Sequence, residues 1–389
     1  MNTVLENIRR LYVGISITLL NTILLAVIVA IVLEFIAGWL LRYQASSQDV
    51  ATALVDNAYE GMAWKEQFFK DVAAYQVATG GAQVYEPYSL WKNPDFRSPS
   101  FTVEQGYRKT VQPVYTQEDS VVHIWMFGGS TMFCADTPDD WTIASRLAYK
   151  LREAYPNRKF KISNYGLPGF VCDQEAILLS KLLMSGQCPD VTIFYDGFNE
   201  AHLKVAMAKP IPHGFYTMYE QIYRSIKERL WANLVWKSSF LTLAMRSLSR
   251  DTQFEKDERV LQARSQVVAA SYARVIDFVQ HLAQVYGFRA YFFWQPSLLT
   301  TGKKLTANEA ALRNMILQNN GPGYRILLET VRATIFRNPD MRVQYTFDIN
   351  DALDSVNTTA FVDYAHLGPY GNDAVAEKML QCLRSRGLL

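Results

Sequence analysis

Cysteine is scarce, with 4 in 389 residues. Cys134, Cys172, Cys188 and Cys382 form no C-x-x-C pair, which excludes a zinc ribbon or a thioredoxin-like centre. Charge of one sign is equally absent: 39 Lys plus Arg stand against 37 Asp plus Glu, so the basic footprint of a nucleic-acid binder is missing. Gly and Pro are modest at 20 and 14, and disordered or collagen-like chains are excluded with them. There is no G-x-G-x-x-G and no phosphate loop. Neither a nucleotide cofactor nor a bound metal is expected. The G-x-S-x-G elbow of the standard α/β-hydrolases is missing too, because Met132 occupies its last position.

What the chain does have is one long apolar run. Leu11 to Leu33 contains no charged residue, and at a rise of about 1.5 Å per residue it covers roughly 34 Å, enough for a bilayer core. The pattern resumes after Glu34 as Phe35 to Leu41, too long for the apolar part of a signal peptide, so an uncleaved anchor over residues 11–41 is expected. Arg9 and Arg10 precede the run and Arg42 alone follows it. Positive-inside bias then puts residues 1–10 in the cytoplasm and the bulk of the chain in the periplasm or outside the cell. Glu34 belongs either at the outer interface, near Trp39 and Tyr43, or against another membrane protein.

Residues 42–118 read as a stalk helix, from about Asp49 to Gln83, followed by an extended segment rich in Pro, Asn and aromatics that packs on the next domain. From residue 119 to 389 short apolar runs alternate with helical patterns. Val121–Phe127, Phe160–Asn164, Val191–Tyr195, Ala290–Trp294 and Gln344–Phe347 are the strand candidates. This order predicts an α/β fold: a three-layer α/β/α sandwich with a mainly parallel sheet, its function carried by loops beyond the carboxyl ends of the strands.

Polar residues cluster at those ends. The first strand runs into Gly128, Gly129 and Ser130, which makes Ser130 the candidate nucleophile, although a serine capping a helix near Asp139 or Asp140 accounts for the same residues. The second strand leads to Gly166 and Gly169, where a backbone N–H can approach a reacting oxygen closely, or where an ordinary turn sits. The third ends in Asp196, Gly197, Phe198, Asn199 and Glu200, and Asn199 offers either an amide N–H to that oxygen or an Asx-turn. Near the C-terminus Asp363 stands three residues before His366. In a helical turn that spacing lets the carboxylate accept Nδ1–H and leaves Nε2 free to take a serine proton.

Gly129 with Ser130, Gly169, Gly197 with Asn199, and Asp363 with His366 resemble blocks I, II, III and V of the SGNH/GDSL hydrolases, over about the last 270 residues. The resemblance implies a flavodoxin-like domain with Ser130 as nucleophile, His366 as general base and Asp363 as its orienter. It also implies an oxyanion hole made by Ser130 N–H, Gly169 N–H and the Asn199 side chain. The chain departs from the family twice: Gly129 replaces the usual Asp before the serine, and Glu200 replaces the Asp that commonly follows the asparagine. The stretches Phe127–Met132, Phe194–Glu200 and Phe293–Pro296 resemble a membrane-anchored bacterial subgroup often linked to surface polysaccharides.

The expected activity is therefore an esterase or O-acyltransferase working through an acyl-serine on an acylated glycan. A lipid esterase, and a non-catalytic subunit that meets a membrane acyltransferase or a polysaccharide-assembly partner, are the alternatives. Residues 201–286 read as a helical insertion with an amphipathic helix at Tyr219, Ile222, Tyr223, Ile226, Leu230 and Leu234, and with a solvated charge-rich stretch from Lys256 to Arg264. Outside the cytoplasm Cys134 and Cys172 can pair and brace the site.

Overall fold

The computed structural model describes residues 2–46, 56–115, 120–205, 213, 257–320, 323–337 and 345–387. Helix α1 spans Asn2–Ser46. Within it Arg9–Gly38 is long and apolar enough to cross a membrane, with its side chains exposed. Two of its threonines bond back to the helix: Thr18 Oγ1 donates to the Gly14 carbonyl at 2.9 Å and Thr22 Oγ1 to that of Thr18 at 2.9 Å.

In the second compact unit, helix α2 covers Lys65–Thr79 and stops at Gly80, whose φ of 60° provides a left-handed cap. The expected stalk helix is thus shorter, and a 3-10 turn, Asp56–Tyr59, precedes it. The extended segment forms two small antiparallel ribbons: β1 (Val84–Glu86) with β2 (Leu90–Lys92), and β3 (Phe96–Arg97), β4 (Thr102–Glu104) and β5 (Tyr107–Arg108). Phe68 and Tyr75 of α2 meet Phe101, Val103 and Phe133 in one buried cluster, so this segment packs on the turn that carries Ser130.

The main sheet contains β6 (Val121–Gly128), β7 (Lys159–Asn164), β8 (Val191–Asp196), β9 (Arg289–Trp294) and β10 (Thr346–Asp348). Its order is β10-β9-β8-β6-β7 and every pairing is parallel. Counted from β6 this is the 2-1-3-4-5 order of flavodoxin-like folds. Because the chain steps first to one side of β6 and then to the other, right-handed crossovers place helices on both faces. Short α3 (Ser130–Phe133) and α4 (Ile143–Ala154) precede β7, and α5 (Cys172–Met184) precedes β8. Next come α6 (Glu258–Tyr286), α7 (Ala307–Asn320), α8 (Gly323–Arg337) and α9 (Pro369–Ser385). Helix α9 packs on α4, whereas α6 packs on α5 and α8.

Two expectations change here. The helix placed near Asp139 begins at Ile143, capped by Thr142 and not by Ser130, because a 3-10 turn occupies Asp139–Trp141. The insertion expected to run through residue 286 instead closes with α6, the crossover helix between β8 and β9, which buries Leu261, Val268, Tyr272, Ile276 and Val279; in its first turns Asp257, Arg259, Gln262 and Ala263 are exposed, so the described part of the charge-rich stretch is a solvated face as expected. The amphipathic pattern from Tyr219 to Leu234 lies outside the described residues.

The ribbon is pinned by a buried cation. Arg108 donates from Nε to Asp139 Oδ1 at 3.0 Å and from its terminal nitrogens to the carbonyls of Cys134 at 2.7 Å and Thr137 at 2.6 Å, with its guanidinium 3.7 Å above the centre of the Phe101 ring. Removing one partner of a buried pair strands the other, so Arg108→Ala is expected to lose about 3–5 kcal/mol of stability by denaturant unfolding. A loss below about 1 kcal/mol would place the pair in the class of surface bridges.

Candidate active site

In open α/β sheets the ligand crevice lies beyond the carboxyl ends of the strands, where the strand order reverses. Here that point falls between β6 and β8, and the loops after these two strands carry Ser130 and Asn199. The structure brings Ser130, His366 and Asp363 together. Ser130 Oγ lies 2.8 Å from His366 Nε2 and His366 Nδ1 lies 2.6 Å from Asp363 Oδ2; with the imidazole neutral, the hydroxyl donates to Nε2 and Nδ1–H to the carboxylate. Serine oxygen, imidazole and carboxylate form one continuous chain, able to move a proton off the hydroxyl.

The Asp–His spacing works by a different device from the helical turn expected. Residues 361–367 form a loop closed by an antiparallel bridge between Phe361 and Leu367, with Val362 N–H donating to the His366 carbonyl at 3.0 Å. Asp363 Oδ1 accepts the N–H groups of Ala365 at 2.8 Å and His366 at 2.7 Å, an Asx-type turn that aims the other oxygen at the ring. A buried pair anchors the loop from behind. Glu309 Oε1 accepts from the N–H groups of Ala360 at 2.9 Å and Phe361 at 3.3 Å, while its Oε2 takes Lys303 Nζ at 2.6 Å.

Electrostatics follow from these contacts. Burial favours the neutral imidazole, but the hydrogen bond and charge of Asp363, together with the charge of Asp136, outweigh it and raise His366 to about 9. Burial also opposes ionisation of Asp363, yet the bonds from the His366 ring and from the two backbone N–H groups hold its carboxyl below the usual range. Asp136, whose carbonyl accepts the Tyr59 hydroxyl at 2.9 Å, is pushed up mainly by burial.

Asn199 Nδ2 donates to the Phe170 carbonyl at 2.7 Å, leaving one amide proton for another acceptor. Its approach explains Gly129: a Cβ there would lie 2.4 Å from Asn199 Nδ2 and 3.3 Å from the Phe170 carbonyl oxygen. The departure from the family's aspartate is therefore a close packing of the asparagine over the residue before the serine. Glu200 is a brace, with Oε1 accepting Cys172 N–H at 2.9 Å and Oε2 accepting Gly197 N–H at 2.8 Å. It joins the start of α5 to the loop after β8. Gly169 sits in the turn after β7 with φ of 78°, and the indole N–H of Trp91 donates to the neighbouring Pro168 carbonyl at 3.0 Å. It is not among the residues lining the small cavity beside Ser130, which include Gly129, Phe170, Asn199 and Gln295.

Phe198 stacks on Tyr364 (4.6 Å between ring centres, 15°) and on His202 (5.3 Å, 20°), and Tyr364 lies 6.5 Å from the His366 ring. Sequence reasoning passed over Asp136, Lys303, Glu309 and Trp91, which carry no local motif. Gln295 alone had a usable signal, a polar residue directly after a strand. The two cysteines flanking the site do not pair. Both are buried free thiols, each held by its own neighbours: Cys134 Sγ donates to the Thr131 carbonyl at 3.1 Å, and Cys172 Sγ lies 3.4 Å from Lys204 Nζ. Among the described residues no group of His, Cys, Asp or Glu could hold a metal ion.

No protein-family model and no curated protein matches the chain. Solved structures similar to it include an α/β hydrolase from the metagenome of Lake Arreo, Spain, 12% identical, covering 69% of this chain and 96% of its own, with a TM-score of 0.33. A lipolytic protein of the G-D-S-L family from Veillonella parvula is 12% identical over 67% of this chain and 97% of its own, with a TM-score of 0.35. An acetyl xylan esterase from Geobacillus stearothermophilus is 11% identical over 69% and 95%, with a TM-score of 0.33. The fold itself is defined by the strand order and parallel register described above.

Two outcomes are expected. Gly129→Ala chiefly displaces the flexible end of Asn199 and presses only lightly on the Phe170 carbonyl, so the variant should melt close to wild type while hydrolysis of an activated acetyl ester falls as far as in Asn199→Ala; a fully active Gly129→Ala would show that the close packing has no role. Because only the neutral imidazole accepts a proton, kcat/KM should climb with pH and level off above about 9. Asp136→Asn should move that limb to lower pH, and an unmoved limb would remove Asp136 from the electrostatics of the site.

Proposed function

We propose that this chain is an SGNH-type serine esterase or O-acyltransferase, anchored in a membrane by α1, that acts through an acyl-serine intermediate. The observation that carries the reading is the unbroken hydrogen-bonded chain Ser130–His366–Asp363 at the switch point of a parallel sheet. In the first half-reaction Ser130 Oγ attacks an ester carbonyl, its proton passes to His366 Nε2, and the carbonyl electrons move onto oxygen. Collapse of that adduct expels the alcohol, which takes the proton from His366. Asp363 stabilises the imidazolium and keeps Nδ1 protonated. Asn199 Nδ2, Gly169 N–H and Ser130 N–H are the donors proposed for the oxyanion.

An acylated glycan is the proposed substrate, with water or a sugar hydroxyl as acceptor. It is supported by the sequence resemblance of Phe127–Met132, Phe194–Glu200 and Phe293–Pro296. Arg9 and Arg10 before the apolar span support a cytoplasmic N-terminus, and hence a periplasmic or extracellular site.

Full-length protein in detergent, treated with a fluorophosphonate and assayed on acetylated sugars against long-chain esters, tests the reading. Ser130 should be the labelled residue and acetyl esters the better substrates. Ser130→Ala should abolish both labelling and turnover, and Asn199→Ala should lose roughly a hundred to a thousand-fold in kcat. Wild-type protein that is folded, unlabelled and inert on every ester would leave an assembly role instead.

A further inference from the structure

Gln295 follows β9 directly, and its N–H continues the parallel pairing by donating to the Asp196 carbonyl at 2.8 Å. Its side chain then crosses the end of β8 to reach the loop after β6. The crossing needs Gly197 beneath it, since a Cβ there would lie 3.2 Å from Gln295 Cγ and 3.0 Å from the Trp294 ring, at a φ of 140° that side chains rarely adopt. At the far end Thr131 Oγ1 donates to Gln295 Oε1 at 2.7 Å. A hydroxyl donating to the amide oxygen fixes which way the amide points, and Nε2 faces away from Thr131.

Gln295 is only 4% exposed, and its Nε2 has no acceptor among the described residues. The Nε2 atom is not sealed from solvent, so its N–H is available to an acceptor that arrives with a ligand. The cavity that Gln295 lines with Gly129, Ser130 and Asn199 has a volume of about 10 Å³, room for one water-sized group. A single oxygen atom fits it. Two carboxyl groups also border the cavity. Both Glu200 oxygens are committed to backbone N–H groups. Asp196 accepts the Tyr272 hydroxyl at 3.0 Å, and burial, with the nearby Glu200, favours its protonated form.

We infer that Gln295, oriented by Thr131, is a further oxyanion donor that gives its Nε2–H to the acyl carbonyl oxygen beside Asn199. The inference rests on the acyl-serine reading above. When the Ser130 Oγ–carbon bond forms, the carbonyl π electrons move onto oxygen and the serine proton goes to His366. When the carbon–alkoxy bond breaks, the pair on oxygen restores the carbonyl and the alcohol leaves with that proton. The Gln295 contact strengthens only while the oxygen is negative, so it lowers the barrier without tightening ground-state binding.

The test compares full-length wild type, Gln295→Met and Thr131→Val in detergent, by turnover of p-nitrophenyl acetate and by the inhibition constant of phenylboronic acid, which forms a tetrahedral anion on the serine. Gln295→Met keeps the side-chain volume and loses the donor. It should lower kcat by about a hundredfold, leave KM within about twofold, and weaken the boronic acid in the same proportion as kcat/KM. Wild-type kcat in folded Gln295→Met overturns the inference, as does a loss of kcat with boronic acid affinity unchanged, which would mark a merely structural role. Should Gln295→Met not fold, Thr131→Val retains the glutamine but frees its amide to turn. A loss of roughly tenfold in kcat is then expected, and wild-type kcat overturns the inference. Wild type that turns over and takes the fluorophosphonate on Ser130 while Gln295→Met matches it defeats this inference alone; wild type inert to both defeats the acyl-serine reading, and this inference with it.

Discussion

The hydrogen bond between Ser130 and His366 joins residues 236 positions apart at 2.8 Å, and a contact that short exists only if two separate loops are held to within a fraction of an ångström. The serine side is held by β6, an interior strand paired on both flanks. The histidine side has no strand beneath it. Its loop is closed on itself between Phe361 and Leu367 and tied through its backbone to Glu309. Hydrogen bonds from backbone N–H groups to a carboxylate are strong and leave little rotational freedom, so Asp363 presents its free oxygen to the ring without relying on side-chain packing. A site organised in this way stabilises charge with little reorganisation at the moment of reaction.

Buried charges do the tying elsewhere as well. Arg108 with Asp139, Glu200 with the N–H of Cys172, and Glu309, paired to nearby Lys303, with the N–H groups of Ala360 and Phe361 each connect segments far apart in sequence. Taking such groups out of water costs free energy that their mutual attraction only partly returns, so their value lies in position more than in stability. Each tie ends at a turn that carries or supports a site residue. Glu200 shows the consequence for sequence variation: its two oxygens reach two loops at once, and an N–H from each loop converges on them.

Much of this was legible before any coordinates. Five strands and their order of appearance follow from short apolar runs bounded by turn residues, and a parallel sheet follows from the helical patterns between them. Ser130, Asn199, Asp363 and His366 could be picked out because polar residues at strand ends and in Gly/Pro-bounded loops are conspicuous against an apolar background. The disulfide suggested by Cys134 and Cys172 was not legible, since nearness in a motif map says nothing about where thiols point; Cys134 is bonded back to Thr131. Asp136, Glu309 and Lys303 were invisible because a buried ionic contact has no period and no local composition.

The sequence by itself determined the apolar helix, the α/β alternation and the identity of the reactive side chains, because each depends on residues within one turn or one strand of each other. Only the tertiary structure decided that Ser130 meets His366, that Gly129 is small because Asn199 lies over it, and that Gln295 reaches Thr131 across Gly197. Those contacts depend on strand order and on the space between neighbouring strand ends, and both are set by the packing of the whole sheet.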